Sequence, residues 1–251
     1  MAAILRVHGL THRFGGLIAV NGVAFELERN VITAIIGPNG AGKTTLFNLL
    51  SGYYAPDAGS IIFRDRDVRG ESPDRMARRG LLRTFQLVRL FPDMTVRENL
   101  MVGFHRRSKG GILAAVGRPR WLQDQERELR NEADEILDMI GLADCANQMA
   151  VTLTYGQQRL LEFARALAAK PVLLLLDEPA AGLNDHETTD LSRLIAQLPS
   201  RDITVLFVEH DMNMVMGLAE RIIVLDSGSK IADGTPAEVQ GDPAVLRAYL
   251  G

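Results

Sequence analysis

The sequence has 251 residues, of which 24% are charged and 47% hydrophobic, with a formal net charge of −3. This balance indicates a folded protein with a sizeable core, and it excludes a disordered chain and a global attraction for nucleic acid or anionic lipid. No apolar run approaches the roughly 18 residues of a membrane-spanning helix, and residues 1–10 lack the pattern of a signal peptide, so we expect a cytoplasmic protein.

Two strands are predicted near the N-terminus, at residues 4–10 and 23–28, because apolar and polar side chains alternate there. Phe14 lies between them in a stretch rich in turn residues. An exposed aromatic side chain at this place could stack on a nucleotide base or simply pack against the protein, and the sequence leaves both alternatives open.

A buried strand, a glycine-rich turn and a helix that begins at Lys43 are predicted over residues 31–51. The turn matches G-x-x-x-x-G-K-[ST], in which backbone N–H groups surround the phosphates of a nucleotide. Glycines let the backbone approach the phosphates, Lys43 places a charge on the outer ones, and Thr44 offers a hydroxyl to Mg²⁺. We assign nucleotide binding to Gly37, Pro38, Asn39, Gly40, Ala41, Gly42, Lys43, Thr44 and Thr45.

Further strands are predicted at residues 59–63 and 81–85, with a short helix between them that begins at Pro73. Seven arginines fall between residues 64 and 83, which is typical of a solvated face and also of a patch for nucleic acid or a protein partner. Thr95 and Glu98 form a capping box, which predicts a helix from Val96.

Composition changes at residues 103–120, which have glycines, basic residues and no clear period, so we interpret them as an insertion. The stripe of apolar residues at 122–140 predicts an amphipathic helix that ends at Gly141. We interpret residues 86–154 as a mainly helical subdomain within a nucleotide-binding core formed by residues 1–85 and 155–251.

A second group of candidate residues follows the apolar strand predicted at residues 172–176. In sheets of parallel strands, ligands bind at the carboxyl ends, so Asp177 and Glu178 should face the phosphates. Asp177 can hold Mg²⁺ through water, and Glu178 can accept a proton from an attacking water. His210 follows the strand predicted at 203–208, where it could contact the outer phosphate and orient the water or serve as a packing residue.

Alternating helices and strands after residue 156 predict right-handed βαβ connections, with a turn at 226–228 and two short helices from Thr235 and Asp242. The predicted fold is therefore α/β, with a P-loop NTPase (RecA-like) core and a mainly parallel sheet. An N-terminal antiparallel β subdomain and an inserted α-helical subdomain complete it.

Thr154 and Gly156 place a hydroxyl and a small residue at the start of a predicted helix, which is a second anion-binding arrangement. One nucleotide cannot easily use two such helix ends of one chain. This excess indicates that a second protomer takes part. The candidate residues here are Thr154, Tyr155, Gly156 and Gln157.

The glycine-rich turn, Gln86, the sequence LTYGQQ, the strand ending in DEP, and His210 together resemble the nucleotide-binding subunit of ATP-binding cassette (ABC) transporters. The resemblance covers essentially the whole chain. It implies a head-to-tail dimer with two ATP molecules, each held by the turn of one subunit and the LTYGQQ helix of the other. It also implies that Gln86 senses Mg²⁺ and water, that Glu178 is the general base, that His210 binds the γ-phosphate, and that Phe14 lies against adenine.

Two positions depart from the family pattern. The family signature usually reads LSGGQ, whereas Thr154 and Tyr155 replace its serine and first glycine, and Tyr155 adds bulk at the expected interface. Asn184 stands where the family often has aspartate, which removes a charge from the loop after the catalytic glutamate.

The variant sequences LTYGQQ and EPAAGLN, the insertion at 103–120 and the final residues are similar to ATP-binding subunits of bacterial branched-chain amino acid importers. The implied partners are a second ATPase subunit, identical or related, a membrane permease and, indirectly, an extracytoplasmic binding protein, at the cytoplasmic face of the cell membrane. Alternatives are an importer for urea or amides, or a soluble ABC ATPase outside transport. The charge argues against a nucleic-acid partner.

Overall fold

The computed structural model describes residues 3–84, 90–106 and 120–250, and the chain divides into two compact units. The first unit joins Met1–Gln86 to Val172–Gly251, and the second is Leu87–Pro171. The second unit extends beyond residue 154, where the sequence analysis ends the helical segment, because helix α5 (Tyr155–Ala168) packs against helix α3 (Val96–Gly103). A Cβ at Gly103 would lie 2.8 Å from the Cβ of Ala168, so glycine allows this close approach.

The first unit contains an antiparallel sheet with the strand order β2-β1-β4-β5. Its strands are β1 (Ala3–Phe14), β2 (Leu17–Glu28), β4 (Ala58–Phe63) and β5 (Arg66–Asp67). Strands β1 and β2 extend to Phe14 and Leu17, farther than the alternation predicted, so only Gly15 and Gly16 remain as the turn. Phe14 therefore lies at the end of a paired strand.

The second sheet of this unit has the order β10-β9-β3-β8-β7-β6, and all its neighbours are parallel except β9 and β10. Its strands are β3 (Ile32–Ile36), β6 (Leu81–Arg83), β7 (Leu173–Asp177), β8 (Thr204–Val208), β9 (Arg221–Asp226) and β10 (Ser229–Gly234). Every residue of β3, β7 and β8 is buried, which explains why these strands are almost entirely apolar in sequence.

Strand β10 is absent from the sequence analysis, which identifies only the turn before it. Ser227 and Gly228 have φ angles of 47° and 80°, and a two-residue loop with both φ values positive is the turn that joins strands in a tight hairpin. Ser229–Gly234 contains one β-branched residue and no buried one, so it has little strand signal of its own. Pairing with β9 makes it a strand.

Helix α1 (Lys43–Leu50) lies in the hydrophobic core of the first unit. Its Leu46, Phe47 and Leu50 side chains are fully buried and share one cluster with residues of both sheets. Burial of each such side chain stabilises the fold by about 1.5–3 kcal/mol, so the core fixes the helix that follows the glycine-rich turn. The other helices are α2 (Pro73–Arg78), α6 (Asp185–Ala196), α7 (Met212–Leu218), α8 (Pro236–Gln240) and α9 (Pro243–Leu250).

The described part of the second unit is helical, with α3, α4 (Arg120–Met139) and α5. The predicted capping box of Thr95 and Glu98 is confirmed at the start of α3. Most of the predicted insertion at 103–120 lies outside the described residues, as do Phe85 and Gln86. Among the helices that the structure describes, none has the length and apolar character needed to cross a lipid bilayer.

Candidate functional site

An open cavity of about 570 Å³ lies in the first unit, lined by residues that follow strands β3, β7 and β8. Its lining includes residues 39–45 of the glycine-rich turn, Phe14 at the end of β1, Glu178 and His210. The structure thus brings together the turn, the candidate base and the histidine, which lie far apart in sequence. Gly37, Pro38 and Asp177 adjoin these lining residues along the chain, whereas Gln86 lies outside the described residues.

The glycines of the turn have different reasons to be glycine. Gly42 has a φ of 96°, and a Cβ there would collide with the carbonyl oxygen of Ala19. Gly40 has a φ of 81°, but a Cβ there would meet no described atom within 4 Å. The protein itself therefore needs the space at Gly42, while the space at Gly40 faces the open cavity.

Lys43 is the first residue of α1, and its side chain folds back onto the turn. Its Nζ donates hydrogen bonds to the carbonyl oxygens of Gly37, at 2.7 Å, and Pro38, at 3.0 Å. Burial lowers the pKa of Lys43, and the negative charge of Glu178 partly opposes this effect. Because Gly42 caps α1 without a side chain, the positive N-terminal end of this helix remains available to an anion.

The β9–β10 hairpin is hydrogen-bonded to the glycine-rich turn. The N–H of Gly228 donates to the carbonyl oxygen of Ala41 at 3.1 Å, and the Gly228 carbonyl accepts from the N–H of Asn21 at 2.8 Å. From sequence, residues 226–228 are predicted only as a turn, because nothing local in them points to the distant glycine-rich loop.

Asp177, the last residue of strand β7, and Glu178, which follows it, lie in two different environments. Asp177 is buried, and its Oδ2 accepts a hydrogen bond from Arg83 at 2.7 Å. Glu178 has a φ of 47°, a left-handed conformation that costs a non-glycine residue about 1–2 kcal/mol and is found preferentially at functional sites. Its N–H donates to the carbonyl of Val208 at 2.9 Å, which holds the strained residue beside β8.

The side chains of Glu178 and His210 meet at the cavity. Glu178 Oε1 lies 3.1 Å from His210 Nε2, and their side chains are 22% and 50% exposed. A partly exposed carboxylate next to an imidazole can accept a proton from water and be oriented while it does so. The arrangement is thus suited to activating a water molecule beside an anion in the turn.

Glu209 was not identified in the sequence, yet it positions both loops that carry these residues. Its Oε1 accepts from the N–H of Ala180 at 2.8 Å, and its Oε2 accepts from the N–H of His210 at 2.9 Å. The side chain is buried. The only sequence feature that points to Glu209 is its place as an acidic residue directly after a buried strand.

Phe14 belongs to an aromatic cluster and is 46% exposed. Its ring meets His12 edge-on with centroids 4.6 Å apart, and Tyr54 edge-on at 5.5 Å. Phe14 therefore packs against the protein and lines the cavity at the same time. The sequence leaves stacking on a base and packing against the protein as alternatives, and the geometry is compatible with both.

The four candidate residues of the LTYGQQ segment, 154–157, lie in the second unit at the start of α5. Thr154 Oγ1 accepts from the N–H of Gln157 at 3.3 Å, and Gln157 Oε1 accepts from the N–H of Thr154 at 3.0 Å. Gly156 is buried, and Tyr155 is 46% exposed. In the first unit, Asn184 caps helix α6 by accepting from two backbone N–H groups, so the amide at this departure from the family pattern has a local structural role.

Comparison with known proteins places this chain among close relatives. A family model described as "ABC transporter" matches residues 20–181, and one described as "Branched-chain amino acid ATP-binding cassette transporter" matches residues 229–251. The chain is 48% identical over 249 residues to the high-affinity branched-chain amino acid transport ATP-binding protein BraF of Pseudomonas aeruginosa, covering 99% of this chain and 98% of BraF. It is 47% identical to LivG of Escherichia coli K12, which bears the same description, with equal coverage.

Solved structures agree with these relatives. A nucleotide-free ATP-binding cassette from an ABC transporter has a TM-score of 0.85 and 31% identity, and each chain covers 100% of the other. An ABC transporter cassette in its ADP conformation has a TM-score of 0.86 with the same identity and coverage. A dimeric cassette in a post-hydrolysis state, bound to ADP and phosphate, has a TM-score of 0.76 and 26% identity, covering 92% of this chain and 98% of that one. The predicted α/β P-loop fold is confirmed.

Proposed function

The chain belongs to the ABC transporter family, and we propose that it is the ATP-hydrolysing subunit of an importer for branched-chain or related amino acids, working through a separate membrane permease. The observation that carries the proposal is the pair formed by Glu178 and His210, 3.1 Å apart, at a cavity lined by the glycine-rich turn. The names of BraF and LivG support the choice of solute.

In this proposal the phosphates of ATP lie in the turn formed by residues 37–45. The N-terminal end of α1 and the backbone around Gly40 face the negative charge. Lys43, now bonded to two carbonyl oxygens of the turn, exchanges at least one of these bonds for a phosphate oxygen, and the anion compensates its buried charge. Phe14 stacks on the adenine ring, oriented by His12 and Tyr54.

The proposed metal is Mg²⁺, for which the available groups are suitable. Among the described residues no cluster of three or more histidine, cysteine or acidic side chains could hold a metal alone. Mg²⁺ is typically held by nucleotide phosphates with one or two protein oxygens and water. The hydroxyl of Thr44 would supply one of these oxygens, and the carboxylate of Asp177 would hold the ion through water, with Gln86 as a further proposed contact. When bound, Mg²⁺ neutralises charge that develops on the phosphates.

Hydrolysis then depends on the residues beside the phosphates. Glu178 accepts a proton from the attacking water, and His210 orients the water and contacts the γ-phosphate. Glu209 holds both backbone segments in place through its two hydrogen bonds. Glu178, which has a left-handed backbone conformation, lines the cavity in which the phosphates would lie.

The proposed working unit is a dimer with an identical or related ATPase subunit. Thr154, Tyr155, Gly156 and Gln157 of one subunit would contact the nucleotide held by the turn of the other, using the N-terminal end of α5. ATP binding closes the dimer, and hydrolysis lets it open. The permease would hold the dimer at the cytoplasmic face of the cell membrane, and an extracytoplasmic binding protein would deliver the solute. No nucleic-acid partner is proposed.

The test of this function is the Glu178→Gln variant. Removing a general base typically lowers turnover by about 10²- to 10⁴-fold, while the turn and α1 are unchanged. We expect the rate of phosphate release to fall by at least about 100-fold, with ATP affinity retained. Glu128→Gln, the same change at an exposed position of α4, is the matched control and should be unaffected. Near-normal turnover in Glu178→Gln would refute the assignment of the base.

The proposed solute is tested separately, because no residue of this chain is proposed to contact it. The native complex is purified through this subunit, its permease and binding protein are identified, and the binding protein is screened against leucine, isoleucine, valine, urea and short amides. Tight binding of a branched-chain amino acid is expected. Selective binding of urea or an amide would contradict the solute while leaving the ATPase proposal intact.

A further inference from the structure

The side chain of Arg83 is buried, and the proposed mechanism assigns it no role. Arg83 is the last residue of β6, and its guanidinium joins three elements of the first unit. Nη2 donates to Asp177 Oδ2 at 2.7 Å, at the end of β7. Nη1 donates to Asn48 Oδ1 at 2.6 Å and to Ser51 Oγ at 3.1 Å, on and just after α1.

The surroundings of this ion pair show that it is part of the packed structure. The side chains of Arg83 and Asp177 are each only 8% exposed. The guanidinium carbon lies 5.8 Å from the ring centroids of both Phe47 and Tyr53. A charge buried in this way is retained only with paired and hydrogen-bonded partners, so Arg83 is fixed in place and does not move freely between solvent and the site.

We propose that Arg83 is a positioning residue for the Mg²⁺ site. By holding Asp177 through Oδ2 alone, it fixes the orientation of the carboxylate with respect to α1, whose first turn carries Thr44. Within the part of the chain that the structure describes, it is the only hydrogen-bond donor to this carboxylate. The inference rests on the proposed function, because it concerns how this chain presents the Asp177 carboxylate to the Mg²⁺ site.

A positioning role and a purely electrostatic role of Arg83 predict opposite changes in Mg²⁺ affinity when the residue is removed. If the charge of Arg83 only repelled the metal, removing it would tighten Mg²⁺ binding, and lysine would behave as arginine does. If geometry matters, lysine is insufficient, because a single ammonium cannot reproduce the planar fork that spans Asp177, Asn48 and Ser51. Loss of a partner that orients a metal ligand typically weakens metal binding about 10- to 100-fold.

The experiment measures binding in full-length Glu178→Gln protein, so that hydrolysis does not interfere. A fluorescent ATP analogue is titrated in EDTA and at graded Mg²⁺ concentrations, for Arg83→Lys, Arg83→Met and the parent. Arg79→Lys is the matched control, because Arg79 lies in the same segment and forms a bidentate pair with Glu71 at 2.6 Å for both bonds. Asn48→Ala removes one anchor of Arg83 while leaving Arg83 and Asp177 unchanged.

We expect both Arg83 variants to need about 10-fold or more Mg²⁺ for half-maximal binding, with affinity in EDTA changed by less than about twofold. Asn48→Ala should raise the Mg²⁺ requirement by a smaller factor, and Arg79→Lys should leave it unchanged. Asn48→Ala keeps the inference testable if the Arg83 variants fail to fold. An unchanged Mg²⁺ requirement in Arg83→Lys, or tighter binding in Arg83→Met, would overturn the inference. Loss of Mg²⁺-dependent ATP binding in the Glu178→Gln parent would instead refute the proposed function and the inference with it.

Discussion

The substitution Gly40→Ala tests whether the open space in the glycine-rich turn is reserved for a ligand. Gly40 has a φ of 81°, and an added Cβ would meet no described atom within 4 Å. The cost to folding is therefore that of the left-handed conformation, about 1–2 kcal/mol. The new methyl group would project into the cavity where we propose the phosphates lie, so we expect ATP affinity to fall at least about tenfold, or about 1.4 kcal/mol.

Substitutions at Gly70 and Gly42 distinguish the loss of stability from the loss of ATP affinity. Gly70 has a φ of 71° and the same open surroundings, but it does not line the cavity. Gly70→Ala should lose the same stability as Gly40→Ala and keep its ATP affinity. At Gly42, with a φ of 96°, the Cβ would collide with the carbonyl of Ala19, so Gly42→Ala should lose about 1–3 kcal/mol more.

Stability is measured by urea unfolding, and affinity by titration of a fluorescent ATP analogue. If Gly40→Ala binds ATP as tightly as Gly70→Ala does, the phosphates do not pass over Gly40, and the proposed position of the nucleotide is wrong. If Gly42→Ala is no less stable than Gly40→Ala, the close contact with Ala19 does not explain the second glycine.

Two further predictions concern charged side chains. Lys43→Ala should weaken ATP binding at least about tenfold, since a charge-assisted bond contributes about 1.5–3 kcal/mol; unchanged affinity in the same titration would contradict its role. Burial raises the pKa of Asp233, but hydrogen bonds from Arg221 and Lys230 outweigh this and leave it below its usual value of 3.8. The resulting stability is present above that value and is lost as pH falls through the folded-state pKa. Asp233→Asn should therefore lower the urea midpoint at pH 7 and reduce its dependence on pH below about 4; an acid profile identical to wild type would exclude this contribution.

The turn at residues 37–45 was predictable because its information is local. The order of glycines, the lysine and the apolar strand before them all lie within one short stretch, and in the structure residues 37–45 connect β3 to the first turn of α1 as expected. The capping box at Thr95 and the helix start after Thr154 are likewise local, and both are present. The resemblance to the ABC family, drawn from several such motifs in order, is confirmed by the relatives and by the similar folds.

Long-range contacts were not predictable in this way. Arg83 and Asp177 are 94 positions apart, so the sequence shows two charged residues but not their pairing. Glu209 looks like one more acid after a strand until the two N–H groups that it accepts are seen. Strand β10 has too little β propensity to be recognised without its partner. The roles of the individual site residues remain predictions, including that of Gln86, which lies outside the described residues.

We propose that residues of two subunits hydrolyse each ATP. Mixed dimers, purified through two different affinity tags and assayed for phosphate release, test this sharing of the site. One subunit carries Glu178→Gln, and changes at Thr154 and Gly156 are placed either in that subunit or in its wild-type partner. If the sites are shared, the arrangement with all changes in one subunit leaves no intact site and should be inactive, whereas the divided arrangement keeps one intact site and measurable turnover. If each site were formed by one subunit alone, the dimer with all changes in one subunit would keep turnover and the divided dimer would have none. That result would contradict shared sites.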